Sequence, residues 1–391
     1  MKNFLNQWIL CLALVLLSCD TDREEPAPEI RQESISAIDS RMGDMMNEFY
    51  FPGISIAIAK NGKLVYARGY GTANQQTEEA VTPESIFRYA SFAKTITGIA
   101  VMKLVQDNKL SLEDKVFGAD GILGMEYGTK TYSNRITAIT VDHLLHHVPG
   151  GWRNFMDDPV FDGPANLSRD ELISWGLDNV PLATNPGSTY HYSNFGYLIL
   201  GRIIEKASGK SYGEYVKEEI LDRVGATSTF LARNGKNEKR SKEVEYYSQD
   251  STDPYTSTAY NIERGDATAG WVSTPSDIAR ILSSVDLQPG RPNLLNQQLN
   301  NLRGTPLSNS GSYGKGVYRF NHPELGEVHW HDGLWPGSQS LSVSKKGEFC
   351  ISVVMNSGVF QNYTQSMNNI AGTLFEIMMD DTIEYQDIDQ F

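Results

Sequence analysis

The chain has 391 residues, of which 40% are hydrophobic and 10% aromatic. This is enough for a well-packed globular body of one large domain or two interleaved ones. The 34 Lys and Arg against 48 Asp and Glu give a formal net charge of -14. Such an acidic surface argues against nucleic acid as a partner, and against adsorption onto anionic lipid through charge alone.

The first 18 residues have the pattern of a targeting segment. Lys2 is followed by an apolar run from Trp8 to Leu17, which is too short for a comfortable membrane span. The run ends in the sequence LLSC, which resembles a bacterial lipobox, where a signal peptidase cuts before the cysteine and the thiol takes a lipid. The alternative is an ordinary secretory signal with a chance cysteine. We therefore expect residues 1–18 to be a signal peptide, and Cys19 to be lipidated and to anchor the protein to a membrane of the bacterial cell envelope, on the periplasmic or surface side.

Residues 19–32 follow as a charged, proline-containing stretch with little to bury, which predicts a flexible tether. Of the three cysteines, Cys11 leaves with the signal and Cys19 takes the lipid. Cys350 lies in an apolar, strand-like run and is predicted to be a buried structural thiol. After processing, neither a disulfide within the chain nor a cysteine-based metal site is possible.

The body begins with a helix over about 33–49, where apolar residues recur at helical spacing. Alternating Ile54, Ile56 and Ile58 then predict a strand, which turns at Asn61-Gly62 and returns as a second strand. From about 84 to 225 the pattern is helical, and it is helical again after a polar stretch at 232–265 that we expect to form surface loops. The predicted helices are SFAKTITGIAVMKLVQDNKL, TVDHLLHH, FGYLILGRIIEKASG, SYGEYVKEEILDRVG and TPSDIARILSSV.

Strands return near the C-terminus, at about 325–331, 338–344 and 348–355, before a last helix over about 365–379. Strands from both chain ends with helices between them predict an α+β fold, in which an antiparallel sheet carries helices. We expect one domain over residues 33–380, a helical subdomain inserted at about 84–310, and a C-terminal tail at 381–391.

The first candidate for chemistry is Ser91, with Lys94 three residues later at the start of an apolar-periodic helix. Residues at i and i+3 share a helix face, so the hydroxyl and the amine can meet. A serine hydroxyl needs a neighbouring base to become a good nucleophile, and a lysine can serve if burial holds it partly neutral. The helix N-terminus also offers free N–H groups to a developing oxyanion. The same S-x-x-K pattern at Ser342–Lys345 falls at a strand end and is taken as chance.

The tripeptide Tyr-Ser-Asn occurs twice, beginning at Tyr132 and at Tyr192. The first copy is predicted to form a local turn in which Asn134 satisfies backbone groups. The second follows a Pro-Gly-Ser turn and immediately precedes a strong helix, and side chains on a loop held by a rigid element are well placed for chemistry. Tyr192 and Asn194 are therefore the site candidates.

The third element is His331-Asp332-Gly333, between two predicted strands. An edge strand with a glycine lets a substrate backbone approach closely. The backbone N–H of Leu334, just after the glycine, is predicted to be the second oxyanion donor beside that of Ser91.

Together these motifs resemble the serine β-lactamase and penicillin-binding-protein superfamily, in particular its class C-like branch. The matching residues are Ser91-Phe92-Ala93-Lys94, Tyr192-Ser193-Asn194 and His331-Asp332-Gly333, in that order, and flanking segments match from about 34 to 379. The resemblance implies a β-lactamase/transpeptidase-like fold. It also implies a hydrolase that works through an acyl-enzyme, without metal or organic cofactor.

By that resemblance Ser91 is the acylated nucleophile, and Lys94 assists removal of its proton. Tyr192 is the general base in acylation or the acid to the leaving group. Asn194 hydrogen-bonds the acyl amide of the substrate, and the segment His331-Asp332-Gly333 binds substrate. β-Lactamases of this branch usually have lysine where His331 stands, and histidine offers a charge to a substrate carboxylate only when protonated. Leu334 also replaces a residue that is usually small, which narrows the site.

The main hypothesis is a monomeric hydrolase for amides or esters of small acyl groups, including D-amino-acid peptides of the cell wall. Two alternatives stay open: a β-lactamase proper, and a non-catalytic penicillin-binding or wall-sensing protein. A G-x-S-x-G match around Ser211 is rejected as a nucleophile elbow, because a helix precedes it and Ser211 suits a helix cap. His143, His146 and His147 lack an acidic metalloprotease pattern, so no metal is predicted.

Overall fold

The computed structural model describes residues 30–250, 252–255 and 261–391. The predicted signal peptide, Cys19 and most of the predicted tether lie outside the described residues. Within the described ranges, none of the helices has the length and apolar character needed to cross a membrane.

The described residues contain twelve strands, numbered β1–β12 in chain order. They are Gly53–Lys60, Lys63–Asn74, Glu79–Ala80, Phe87–Arg88, Phe230–Leu231, Tyr247–Ser248, Trp271–Ser273, Tyr318–His322, Gly326–Trp335, Ser338–Lys345, Phe349–Met355 and Ser357–Gly358. Seven of them form one sheet in the order β3-β2-β1-β11-β10-β9-β8, and every neighbouring pair in it is antiparallel. The prediction of an antiparallel sheet built from both chain ends is confirmed. Strands β3 and β8 of this sheet were not predicted from the sequence.

The described helices are numbered α1–α13. They are Ser36–Phe49, Ala93–Gln106, Asn134–Thr137, Val141–Leu145, Pro159–Asp162, Arg169–Asn179, Asn194–Ser208, Tyr212–Val216, Asp222–Val224, Asp266–Ala269, Pro275–Ser283, Gln297–Arg303 and Tyr363–Met379. A 3₁₀ turn over Ala90–Phe92 leads into α2, another covers Lys236–Glu238, and a π-helical turn over Lys217–Leu221 joins α8 to α9. In sequence, α2–α12 all fall between the two halves of the sheet.

The sheet is covered by helices on both faces, as the pleat of β1 makes clear. Ile54, Ile56 and Ile58 are buried in the cluster that includes α1 and α13. Ala57 and Ala59 point the other way, into the larger core with α2 and α11. Successive side chains of a strand alternate between faces, so the isoleucines fill the space on one side and the small alanines let α11 pack closely on the other.

The turn between β1 and β2 shows how local sequence sets register. Asn61 and Gly62 have φ of 50° and 80°, the left-handed pair that a two-residue hairpin turn requires. At the other end of the chain, the segment after α13 returns to β2, where the Leu64 N–H donates to Asp389 Oδ1 at 3.1 Å and the Gln390 N–H donates to the Leu64 carbonyl at 3.1 Å.

Candidate active site

Ser91 lies in the 3₁₀ turn that opens α2, with the chain before it held tightly by the sheet. Ser338 and Ser340 of β10 donate hydrogen bonds to the carbonyls of Arg88 and Tyr89, the latter at 3.0 Å. Ala90 has a φ of 46°, a left-handed conformation that costs a non-glycine residue of order 1–3 kcal/mol and that clusters at functional sites. The sheet therefore holds a strained backbone that presents the Ser91 side chain at the helix start.

Lys94 is fully buried beneath Ser91. Its Nζ lies 3.2 Å from Ser91 Oγ, and it donates to Asn194 Oδ1 at 2.8 Å and to the Thr268 carbonyl at 2.9 Å. The last two partners can only accept. A neutral amine has two N–H groups and one lone pair, so when both N–H groups serve those acceptors the lone pair faces the Ser91 hydroxyl.

Burial makes the neutral form of Lys94 available near neutral pH. Burial lowers the pKa of Lys94 from 10.5 to about 7, while the negative charges of Asp158 and Asp332 oppose the fall. Because the charged form is the one that burial penalises, about half of the Lys94 side chains are neutral near pH 7. This position and this pKa are those that a base for Ser91 needs, and the role of Lys94 in accepting the Ser91 proton stays a prediction.

Tyr192 is half-buried and lines the cavity together with Ser91, and its phenol interacts with the Ser91 hydroxyl. Lys94 Nζ lies 4.8 Å from the centre of the Tyr192 ring. On the same ring packs His147, with 4.2 Å between the two ring centroids. Burial and the nearby Asp332 charge raise the pKa of Tyr192 well above 10. The phenol is therefore protonated at neutral pH, which suits a proton donor or relay better than a standing phenolate base.

Asp158, which the sequence analysis missed, anchors the second side of the site. It is buried at the start of α5, and its carboxylate accepts the backbone N–H groups of Asn194 and Phe195 at 2.7 and 3.2 Å. It therefore holds the N-terminus of α7, and with it Asn194. Burial raises the pKa of Asp158 to about 7, and its backbone N–H donors oppose that shift. The dipeptide Asp158-Pro159, a cap followed by proline at the first helical position, was the available sequence signal.

Asn194 lines the cavity together with Ser91, and its side-chain amide is hydrogen-bonded within the protein. Its Oδ1 accepts from Lys94, and its Nδ2 donates to Asn154 Oδ1 at 3.0 Å. These contacts fix the orientation of the amide at the edge of the cavity. Its expected contact with the acyl amide of a substrate stays a prediction.

Strand β9 brings His331, Asp332, Gly333 and Leu334 to the site, with alternating orientation. Asp332 and Leu334 line the cavity beside Ser91. Gly333 faces the nucleophile segment so closely that an added Cβ would lie 2.2 Å from the Tyr89 carbonyl oxygen. Pairing of β8 with β9 ends at Trp330, which leaves the segment from 331 onward free of β8, as an edge for a substrate backbone requires.

His331 is buried behind the cavity wall: it is not itself a lining residue, although it contacts the lining residues Asp332 and Tyr318. Its Nε2 lies 3.0 Å from the Tyr313 hydroxyl, and its Nδ1 lies 2.7 Å from the Asp332 carbonyl. Burial lowers the pKa of His331 to about 4, so the ring is neutral at physiological pH. The expectation that His331 contacts substrate stays a prediction, and its present contacts support β9 instead.

The cavity in front of Ser91 has a volume of about 280 Å³. Asn154 and Asn194, Asp332, Ala269 and Leu334 contribute to its wall, together with several aromatic side chains: Phe155, Phe161, Tyr192, Tyr318, Trp335, Phe360 and Tyr363. Phe155 stacks on Phe161 at 6.4 Å and is 74% exposed, so it forms an outer rim. The described residues include no cluster of three or more side chains arranged to hold a metal ion.

The first Tyr-Ser-Asn tripeptide and the G-x-S-x-G match around Ser211 both lie outside the cavity. In the first Tyr-Ser-Asn copy the expected role of Asn134 is wrong: Ser133 caps α3 by accepting the Ile136 N–H at 3.4 Å, and Asn134 is the first helical residue. Ser193 caps α7 in the same way, so the tripeptide is a helix start in both places. Ser211 caps α8, as predicted.

A serine over a buried lysine and beside a tyrosine, held by a helix start and an antiparallel sheet, defines a serine hydrolase site on a β-lactamase/transpeptidase-like fold. The chain belongs to the Beta-lactamase family, whose model matches residues 38–369. This confirms the superfamily and the fold expected from the motifs.

Individual relatives are more distant. Protein flp of Staphylococcus aureus strain MRSA252 is 25% identical over 331 residues, which cover 84% of this chain and 64% of that protein. The chain thus spans less than two thirds of the length of that relative. The octameric penicillin-binding protein homologue from Pyrococcus abyssi superposes with a TM-score of 0.70 and 25% identity, covering 88% of this chain and 78% of the other. The D-amino acid amidase from Ochrobactrum anthropi SV3 has a TM-score of 0.69 and 19% identity, covering 88% and 98%, and shows a shared fold alone.

Proposed function

We propose that this serine hydrolase forms an acyl-enzyme on Ser91 and cleaves amide or ester bonds of small acyl substrates, including D-amino-acid peptides. The observation that carries the proposal is the 3.2 Å contact between Ser91 Oγ and a buried Lys94 whose pKa falls to about 7. A buried lysine is costly to maintain for structure alone, and a base with a pKa near the working pH is what proton transfer needs.

In acylation, neutral Lys94 takes the Ser91 proton as Oγ attacks the substrate carbonyl carbon. The N–H groups of Ser91 and Leu334 are assigned to the oxyanion that forms, and losing one such donor typically costs about 10²–10³ in rate. Tyr192, which is protonated and lies beside Ser91, donates a proton to the leaving amine or alkoxide and is reprotonated from Lys94. A water then attacks the ester carbonyl, with the same groups running the proton transfers in reverse.

The relatives support the substrate class only in outline. One solved neighbour is a D-amino acid amidase, and another is a penicillin-binding protein homologue. The support from this chain itself is the cavity of about 280 Å³ in front of Ser91, which suits a small substrate.

The test is hydrolysis of a small neutral ester and of penicillin by the purified protein and by Ser91→Ala. We expect ester hydrolysis that Ser91→Ala reduces by at least about 10³-fold, as loss of a nucleophile does. A lasting penicillin adduct would place the protein with penicillin-binding proteins, and fast penicillin turnover would establish the β-lactamase alternative. Equal ester hydrolysis by both proteins would refute the acyl-enzyme proposal.

We also propose that Cys19 carries a lipid that holds the protein at a bacterial membrane, as the LLSC sequence indicates. The tether then places the body outside the bilayer. Cys19→Ala should move the protein from the membrane fraction to the soluble fraction, and Cys350→Ala is the matched control. Retention of Cys19→Ala at the membrane would refute the anchor.

A further inference from the structure

Among the described residues of the cavity wall, Asp332 is the one carboxylate, and it stands two residues before the assigned oxyanion donor Leu334. Among the described lining residues, the others are aromatic, aliphatic, amide or hydroxyl side chains. The Asp332 side chain is 21% exposed, so it keeps contact with the cavity. Its Oδ2 accepts the hydroxyl of Tyr363, another lining residue, which fixes the carboxylate in place.

The field of this carboxylate reaches the reacting groups. The negative charge of Asp332 raises the pKa of Lys94, and it also raises the pKa of Tyr192. Two basic side chains lie near it: Lys94, which is buried under Ser91 and directed at Asn194 and Thr268, and His331, whose Nδ1 is 3.6 Å from Asp332 Oδ1. His331, whose pKa falls to about 4, adds no positive charge at neutral pH. Among the described residues that line the cavity, none is a lysine, arginine or histidine that could pair with a substrate carboxylate, whereas Asp332 would repel one.

An ammonium group, in contrast, finds two favourable features there. A fixed carboxylate makes a charge-assisted hydrogen bond with it, and aromatic faces such as Trp335, Tyr318 and Phe161 attract cations through their π systems. The chain as a whole is acidic, with a net charge of -14, which favours approach of cationic ligands over anionic ones.

We propose that Asp332 selects substrates that carry an ammonium group near the scissile bond and rejects those that carry a carboxylate there. Amino-acid amides, amino-acid esters and amine-bearing esters are the classes that fit. This inference rests on the proposed function, because it concerns the substrate of the same site.

The experiment uses two matched series of substrates. One varies the acyl part: phenylalanine p-nitroanilide with a free ammonium, with an N-acetyl group and with an N-succinyl group, each in D and L form. The other varies the leaving group: phenyl acetates with para trimethylammonium, tert-butyl or carboxylate substituents. kcat/KM is measured for each substrate with the wild type and with Asp332→Asn. For each protein, kcat/KM of the cationic substrate is divided by kcat/KM of the neutral one to give a cation-to-neutral ratio. Comparing this ratio between the two proteins cancels the intrinsic reactivity of the substrates.

We expect Asp332→Asn to lower the cation-to-neutral ratio about 10- to 30-fold in at least one series, as for a hydrogen bond to a charged group. It should also raise the anion-to-neutral ratio. Asp332→Glu should retain the preference, and Asp44→Asn, which removes the same charge from an exposed position on α1, should leave both ratios unchanged. Should Asp332→Asn fail to fold, added salt provides a second measurement, since the wild-type preference for the cation should fall as NaCl rises from 20 to 500 mM.

The possible failures are distinguishable. Ratios that agree within about 2-fold between wild type and Asp332→Asn in both series, with hydrolysis still dependent on Ser91, would overturn the charge selection and leave the proposed function standing. A wild-type cation preference that salt does not change would also overturn it. Hydrolysis of both series that Ser91→Ala does not reduce would overturn the proposed function and this inference with it.

Discussion

The pH dependence of Ser91 acylation is the prediction that follows most directly from the buried lysine. Burial moves the pKa of Lys94 from 10.5 to about 7, which corresponds to about 5 kcal/mol at 1.36 kcal/mol per decade. With a pKa of about 7, roughly a tenth of the Lys94 amines are neutral at pH 6 and roughly nine-tenths at pH 8. With the ordinary value, well under a thousandth would be neutral at pH 7.

We therefore expect the second-order rate of Ser91 acylation by a neutral ester to rise about 10-fold from pH 6 to pH 8 and then level off. Lys94→Arg, which cannot lose its proton at these pH values, should lower the rate about 10²–10⁴-fold. Lys103→Arg, a buried lysine further along α2 that pairs with Asp107, is the matched control and should keep the rate and the pH profile.

Stopped-flow or mass-spectrometric acylation rates between pH 5.5 and 9 give the measurement. A rate that is flat over this range after correction for ester stability would refute Lys94 as the base. So would a Lys94→Arg protein that acylates within about 3-fold of the wild type.

Three further results are expected. Asp158→Asn should move the acid limb of the acylation profile to lower pH, because it removes a negative charge that raises the pKa of Lys94; loss of the limb altogether would assign it to Asp158 instead. Gly333→Ala should lower kcat/KM at least about 10-fold without changing that limb, because its Cβ would lie 2.2 Å from the Tyr89 carbonyl oxygen and push β9 away from Ser91; wild-type kinetics would contradict this. Asp286→Asn should reduce the free energy of unfolding by about 3–5 kcal/mol in urea titrations. The reason is that Arg303 is fully buried and its guanidinium lies 3.4 Å from the Asp286 carboxylate, so the substitution removes its counter-charge. An unchanged urea midpoint would show that the ion pair does not stabilise the protein.

Much of the fold follows from local chemistry that a single sequence displays. Asn61-Gly62 determines a hairpin, and Gly209, with a φ of 72°, ends α7 where the sequence placed the helix end. Strand β8 was missed because Tyr318–His322, although aromatic and polar residues alternate in it, is a run of only five residues, none of them fully buried. Its pairing with β9, rather than its own composition, makes it a strand.

Some features of the site could likewise be predicted from the sequence, and others could not. Ser91 and Lys94 are neighbours on one helix, so their contact was predictable from spacing. Asp158 and the Thr268 carbonyl reach the site from segments far away in the sequence, and a backbone carbonyl leaves no mark in the residue pattern. The pleat of β9 places Asp332 and Leu334 on the cavity side, while His331 and Gly333 are buried, an outcome that depends on the register of a strand whose start the sequence does not fix.

The central claim is that Ser91 is the nucleophile, and the most direct measurement is the intact mass of the protein after reaction with a fluorophosphonate, followed by peptide mapping. The account predicts one adduct on Ser91, absent from Ser91→Ala and retained in Ser211→Ala, which alters a helix cap outside the cavity. An adduct on another serine, or one that persists in Ser91→Ala, would contradict it.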